Sequence, residues 1–462
     1  MKLDQKQVQH LFVRAGFGIG FQDAQRLAGK KPETLFADIL SNSQKVEEAS
    51  IIDRVTAFKN FMAMKEASSE EKKAIKKNGR ELLKNLNAWW LERMVQSDAF
   101  LREKMTLFWH DHFACRINNT FLMQQQHNTL RKHALGSFRD LLHAVSKDPA
   151  MLQFLNNQQN RKRSPNENFA REVMELFTLG RGHYSEQDIK EAARAFTGWG
   201  FNTEGEFIFR KRAHDEGKKT VFGKTGNFGG EDVLNLLLEK KQTARYITKK
   251  LFKYFVSDEP DEAIIERLAM DFYDANYDIS ALLTSIFTAD WFYEEQFIGN
   301  KIKSPIELIA GIGRQFNISF DSVEPIIYMQ KILGQVLLMP PNVAGWPEGT
   351  AWIDSSTLMF RMRLTELLFV GAELQVMAKD NGDAGDVFRG KKEFRKMTAN
   401  INWDKVINDF KKMDSDESFT AMKTWLLQKE VAPIQTSKHP DDLRRLKENA
   451  LKITQLPEFQ LC

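Results

Sequence analysis

Residues 164–199 read SPNENFAREVMELFTLGRGHYSEQDIKEAARAFTGW, and their spacing predicts two consecutive helices. Ser164 stands at a cap position, Pro165 at the first helical position and Glu167 at the third. In that arrangement a hydroxyl and a carboxylate satisfy free amides reciprocally. On a helical wheel Phe169, Ala170, Val173, Met174, Leu176 and Phe177 fill one half. Glu167, Asn168, Arg171, Glu172 and Glu175 fill the other. Gly180 supplies a stop that takes positive φ cheaply, and Ser185 with Asp188 starts the second helix.

The helical period extends in both directions. Leu82, Leu83, Leu86, Trp89, Trp90 and Met94 recur at helical spacing, and another helix runs from about Phe100 into FWHDHF at 108–113. A single long helix is expected from about Met123 to Val145, and Asp148-Pro149 starts the next. Ser304-Pro305-Ile306-Glu307 repeats the cap arrangement of Ser164 to Glu167. The period changes to two only where Phe207 and Phe209 alternate with Ile208 and Arg210. With the turn at 214–217 and the return at Thr220 to Phe222, this predicts one small β-hairpin near 205–223.

The loop MPPNVAGWPEGTAW, 339–352, has too many prolines and glycines for regular structure. A helix from about Ser356 to Met377 follows, and Lys379 to Gly385 is the clearest break. The expectation is a mostly α, large multi-helix globular protein. Residues 1–378 form its main helical domain, and 386–462 form a C-terminal helical segment packed on the same unit.

Composition narrows the function classes. A formal charge of only +4 over 462 residues argues against a dedicated nucleic-acid binder. Two cysteines, Cys115 and Cys462, leave no disulfide framework and no cysteine-based zinc site. No apolar run reaches the roughly 18 residues of a membrane span. The start MKLDQKQVQH lacks a basic-then-apolar leader, so a cytoplasmic protein is the default expectation. RAGFGIG, with Gly16, Gly18 and Gly20, lacks the spacing of a phosphate loop and reads as a bent turn between helices.

Three clusters carry candidate chemistry. Glu172 and Glu175 lie one turn apart with Arg171 beside them; such carboxylates serve as a base or hold a hard cation, or simply form a charged solvent face. Among the histidines of 110–143, His112 shares a helix face with Phe108 and Trp109 and is the one to single out as a ligand or proton carrier. His214-Asp215 offers an acid–base or ligand pair at a turn whose bland alternative is a solvated tip. Asn342, Trp346 and Trp352 belong to a fixed, aromatic loop of the kind that walls a pocket.

The segments NENFAREVMELFTLGRGHYSEQDIKEAARAFTGW, HDEGKK, KSPIE and GQVLLMPPNVAGWPEGTAWIDSSTL, in this order, resemble the bacterial domain-of-unknown-function 1800 family. HLFVRAGFG near the start and LPEFQLC at the end fit as well, so the resemblance covers nearly the whole chain. It implies one family unit without an assigned activity. It also implies a companion, the domain-of-unknown-function 1501 family, which resembles the alkaline-phosphatase and sulfatase superfamily. Many family members carry export signals, a point on which this sequence departs. The resemblance places Glu167, Arg171, Glu172, Glu175, His214, Asp215, Asn342 and Trp346 on family motifs.

The combined expectation is a hydrolase-like acid–base or metal-assisted enzyme with one polar cleft. Glu172 or Glu175 would be its base or metal ligand, His112 and His214 its ligands or proton carriers, and a divalent metal ion its cofactor. Arg171 would pair a carboxylate or orient an anion. The rival expectation is a non-catalytic partner or scaffold for the companion protein.

Overall fold

The computed structural model describes residues 1–370, 399–410 and 413–462. Helices dominate it, and its strands form only two-stranded antiparallel sheets among the described residues. The predicted break at Lys379 to Gly385 and the predicted helix residues from 371 to Met377 lie outside the described residues. No helix among the described residues is long and apolar enough to cross a membrane.

The Phe100–His112 helix is buried along almost its whole length. Trp109, fully buried, stacks on Phe138 with ring centroids 5.6 Å apart and donates from Nε1 to the Ala134 carbonyl at 3.1 Å. The C-terminal part of the chain packs back on the start: Phe21 stacks on Phe410 at 4.6 Å, and Trp425 Nε1 donates to the Ile19 carbonyl at 2.8 Å.

Two elements differ from the sequence expectation. The stretch from Met123 to Val145 is two helices, Thr120–His133 and Phe138–Ser146. Between them the chain leaves helix to pair with a distant segment: Phe138 N donates to Tyr277 O and Ile279 N to Gly136 O, both at 2.9 Å. The single hairpin at 205–223 is instead two. Trp199–Phe201 pairs with Phe207–Phe209, where the Trp199 and Phe207 rings lie 5.3 Å apart, and Lys219–Val221 pairs with Lys224–Gly226. Phe222 and Gly223, with φ of 51° and 77°, make the tight second turn, which needs positive φ at both central residues.

The stretch at 164–199 also differs at its start. Ser164 does not cap; its amide donates to Arg161 O at 2.8 Å in an isolated bridge. Asn166 takes over, its Oδ1 accepting from Asn168 N at 3.0 Å, while the Glu167 carboxylate turns to Arg171. By contrast, Ser304 and Glu307 form the full reciprocal box with Pro305 in the first turn. Asn166→Ala is therefore expected to cost about 1 kcal/mol and Ser164→Ala only a few tenths, as urea unfolding would read.

The helix Asn168–Glu172 then widens into a π-helix over Val173–Thr178. Leu179 N reaches Met174 O at 2.9 Å and Thr178 Oγ1 reaches Val173 O at 2.7 Å. Gly180 ends it at φ +80°, with the Tyr246 ring packed where a Cβ would stand. Ser185 and Asp188 cap the Glu186–Ala195 helix as expected.

Candidate functional site

The polar half of the opening helix is largely occupied by ion pairs. Arg171 bonds Glu186 at 2.8 and 2.9 Å and Glu167 at 3.4 Å. Glu175 accepts from Tyr184 Oη and Arg181 Nε, each at 2.5 Å, and these bonds hold its carboxyl below the usual range. Glu172, half-buried, has no hydrogen-bond or ion-pair partner among the described residues. Burial, and then the nearby Glu175, push its carboxyl up.

His214 and Asp215 sit elsewhere. Asp215 is gripped by Arg194, Nε at 2.8 Å and Nη2 at 3.2 Å, and His214 Nδ1 donates to Thr197 O at 2.9 Å. Arg194 lies at the opposite end of the Glu186–Ala195 helix from Glu186, about 12 Å along its axis. The structure therefore does not bring the His214-Asp215 turn into contact with Arg171.

His112 does meet the opening helix. Its Nε2 lies 3.2 Å from Phe177 O, a carbonyl that can only accept, so Nε2 carries the proton. Its Nδ1 must then accept, and Lys250 Nζ donates to it at 3.2 Å. Burial, then the Lys250 charge, hold this imidazole neutral. The Lys241–Phe255 helix supplies the partners in a row four residues apart. Gln242 donates to Leu179 O at 2.9 Å, Tyr246 to Leu176 O at 3.1 Å, and Lys250 to His112. Carbonyls loosened by the π-turn are thus satisfied by side chains of the next layer.

Asp111, beside His112, holds the proline-rich loop. Its Oδ1 accepts from Trp346 N at 2.7 Å. Burial pushes its carboxyl up to about 7, against the pull of the Trp346 amide and of Lys250. Lys250 is lowered by burial, with Asp111 and Glu348 opposing that shift. Glu348 in turn lies 3.4 Å from Lys253. His110 secures the loop's beginning, its Nε2 accepting from Leu338 N at 3.1 Å, and burial drops its imidazole to about 3.

A cavity of about 50 Å³ lies under this loop, lined by Asp111, Tyr254, Asp258, Glu307, Trp346 and Trp352 among others. Asn342 is exposed, and its Oδ1 shapes the loop by accepting from Ala344 N at 2.8 Å. A larger cavity, about 960 Å³, opens beside Gly18, Gly20, Asp23, Asp98, Arg314 and Asp409, and none of the candidate catalytic, metal or pocket residues lines it. Among the described residues no three His, Cys, Asp or Glu side chains are grouped to hold a metal ion. Both His112 nitrogens are already engaged by protein groups.

Sequence reasoning passed over Asp111, Lys250 and Glu348. Asp111 stood between two histidines that drew the attention. Lys250 had one signal, its place in the i+4 row Gln242, Tyr246 and Lys250. Glu348 lies inside the loop already flagged as a pocket wall.

No curated protein and no solved structure matches the chain. The family model described as "Protein of unknown function (DUF1800)" matches residues 10–461, and with nearly its whole length matched the chain belongs to that family.

Proposed function

We propose that the protein is an acid–base enzyme of the hydrolase type, working where the loop of Trp346 closes over Asp111, His112 and Lys250. One observation carries this reading. Asp111 is a partly buried carboxyl with a single backbone amide donor and no ion-pair partner among the described residues, poised at about 7. A carboxyl at that value populates both protonation states at neutral pH, as a general acid or base requires.

The surrounding groups divide the work. His112 fixes the Lys250 amine by accepting its hydrogen bond, and Trp346 N fixes the Asp111 carboxylate. Tyr246, pushed up to about 12 by burial and by the charges of Glu175 and Glu348, joins the opening helix to the site. Glu175 bears on the site through its charge on Tyr246, while Arg171 braces Glu186 and Arg194 grips the His214-Asp215 turn. Metal assistance draws no support from this donor set.

A panel of chromogenic esters, phosphate esters and glycosides at pH 7 tests the proposal. Asp111→Asn is isosteric, and it is expected to lower kcat about 100-fold or more on any member the wild-type protein turns over. Unchanged kcat in a folded Asp111→Asn protein removes Asp111 from the chemistry. Failure of the wild type on the whole panel counts against hydrolysis.

A second reading, docking of the companion domain-of-unknown-function 1501 protein, is favoured by the exposed ion pairs of the opening helix. Arg181 is 86% exposed and Glu186 66% exposed there. Co-purification that is lost in Arg171→Ala and Arg181→Ala would support it.

A further inference from the structure

Most lysines near the site pair with a carboxylate; Lys303, whose Nζ donates to the Phe459 carbonyl, and Lys250 do not. Lys104 pairs with Glu307, Lys301 with Asp258, Lys253 with Glu348 and Lys249 with Glu262. Lys250 has no carboxylate at ion-pair distance among the described residues. The acceptor it meets is a neutral imidazole nitrogen, 3.2 Å away. This bond uses one N–H, so the neutral amine donates to His112 Nδ1 and keeps its lone pair free. The tautomer is not adjustable, because Phe177 O commits Nε2 to carrying the proton. The Tyr246 ring, 5.6 Å from Nζ, closes one side, and Asp111 and Glu348 stand within electrostatic reach on others.

We infer that Lys250 is a nucleophile that forms an imine with a small, neutral aldehyde or ketone. This inference rests on the acid–base reading of the same site and names its substrate class. A neutral carbonyl compound is favoured over a keto acid because the nearby charges that lack a close opposite charge of their own are acidic. Asp111 is unpaired, whereas Lys253 is taken by Glu348 and Lys301 by Asp258.

The chemistry balances with the groups present. The Nζ lone pair adds to the carbonyl carbon, forming C–N as the C=O π pair moves to oxygen, which takes a proton from water. The nitrogen passes one proton to the Asp111 carboxylate through a water, since the two groups stand beyond ion-pair distance. Asp111 returns it to the carbinolamine hydroxyl, which leaves as water while the nitrogen lone pair forms C=N, and the remaining N–H proton neutralises the hydroxide left by the first water. The net result is amine plus carbonyl giving imine plus water, with no oxidant or metal needed. Lys250 is lowered by burial, in the direction this step needs. An ordinary lysine is neutral in only about four molecules in ten thousand at pH 7, and each unit of lowering raises that fraction tenfold.

Reductive trapping tests the inference without any turnover assay. Glycolaldehyde with cyanoborohydride at pH 7, followed by peptide mass spectrometry over time, reads the initial modification rate of every lysine. Lys250 is expected to be modified at least tenfold faster than the exposed Lys31, Lys190 and Lys218. Asp111→Asn should reduce the Lys250 rate while leaving those three unchanged. Lys250→Arg, which keeps a donor for His112 Nδ1 but cannot form an imine, should leave no fast site anywhere in the chain. A Lys250 rate at or below that of the exposed lysines overturns the imine. If hydrolysis sensitive to Asp111→Asn persists in that case, the acid–base reading survives alone; if it is absent too, both fail.

Discussion

Glu307→Gln is expected to destabilise the protein by about 3–5 kcal/mol at pH 7, the range for removing one partner of a buried ion pair. Glu307 accepts from Lys104 Nζ at 2.5 Å, and Lys104 is 2% exposed, wedged beside the rings of Phe17 and Tyr254. Glutamine keeps an oxygen for Ser304 N, so the cap survives and the loss isolates the stranded ammonium. Burial alone would raise this carboxyl. Lys104 overcomes burial, and the net effect draws Glu307 down to about 2. A depressed carboxyl contributes stability that is fully present above its unfolded value. That contribution, about 3 kcal/mol, is lost as pH falls from about 4.5 through 2. Urea unfolding between pH 7 and pH 2 should therefore show a steep acid loss in the wild type and a shallower one in Glu307→Gln. Equal slopes would mean that Lys104 and Glu307 are not coupled.

Gly345→Ala is expected to cost about 2–4 kcal/mol and to disable the site as well. Gly345 has φ +88°, in the left-handed region, and an added Cβ would overlap Asp111 Oδ1 and stand 2.8 Å from its backbone carbonyl. To relieve the overlap the loop must lift, and the Trp346 N–Asp111 bond breaks with it. The carboxyl would lose the one amide that opposes its burial. Gly349→Ala is the control: φ is +57° there too, but its nearest neighbour is one Asp258 carboxylate oxygen at 3.0 Å. Tm should fall more for Gly345→Ala, and Lys250 trapping should slow only in that variant. Equal effects of the two variants on trapping would show that the Asp111 contact does not matter.

The helical architecture was legible because burial imposes a period on the chain, and a period can be counted. Pairing choices were not legible. Ser164 and Ser304 head identical cap patterns, yet only Ser304 caps. What diverts Ser164 is a local bridge to Arg161 with Asn166 placed to take over, a competition that residue types do not rank. The break near Gly136 is set by residues 277–279, and the partner of Phe207–Phe209 is decided by packing on Trp199. The same limit applies to the site. His112 and Trp346 could be flagged by type, but the value of Asp111 and Lys250 comes from which groups they lack. Ion-pair partners, present or missing, are a property of the folded neighbourhood.

The widened turn at Val173–Thr178 carries a consequence for the family's variation. A π-turn holds one residue more than the α-helix it interrupts. Deleting one residue there would restore ordinary helix with its flanking turns in register, and the loosened carbonyls would be bonded within the helix. Three carbonyls would then leave Tyr246, His112 and Gln242 together, and His112 would be free to move its proton to the other nitrogen. Point substitutions should drift freely on this helix's outer face, but a change in its length would rewrite the tautomer at a histidine sixty-five positions away in sequence.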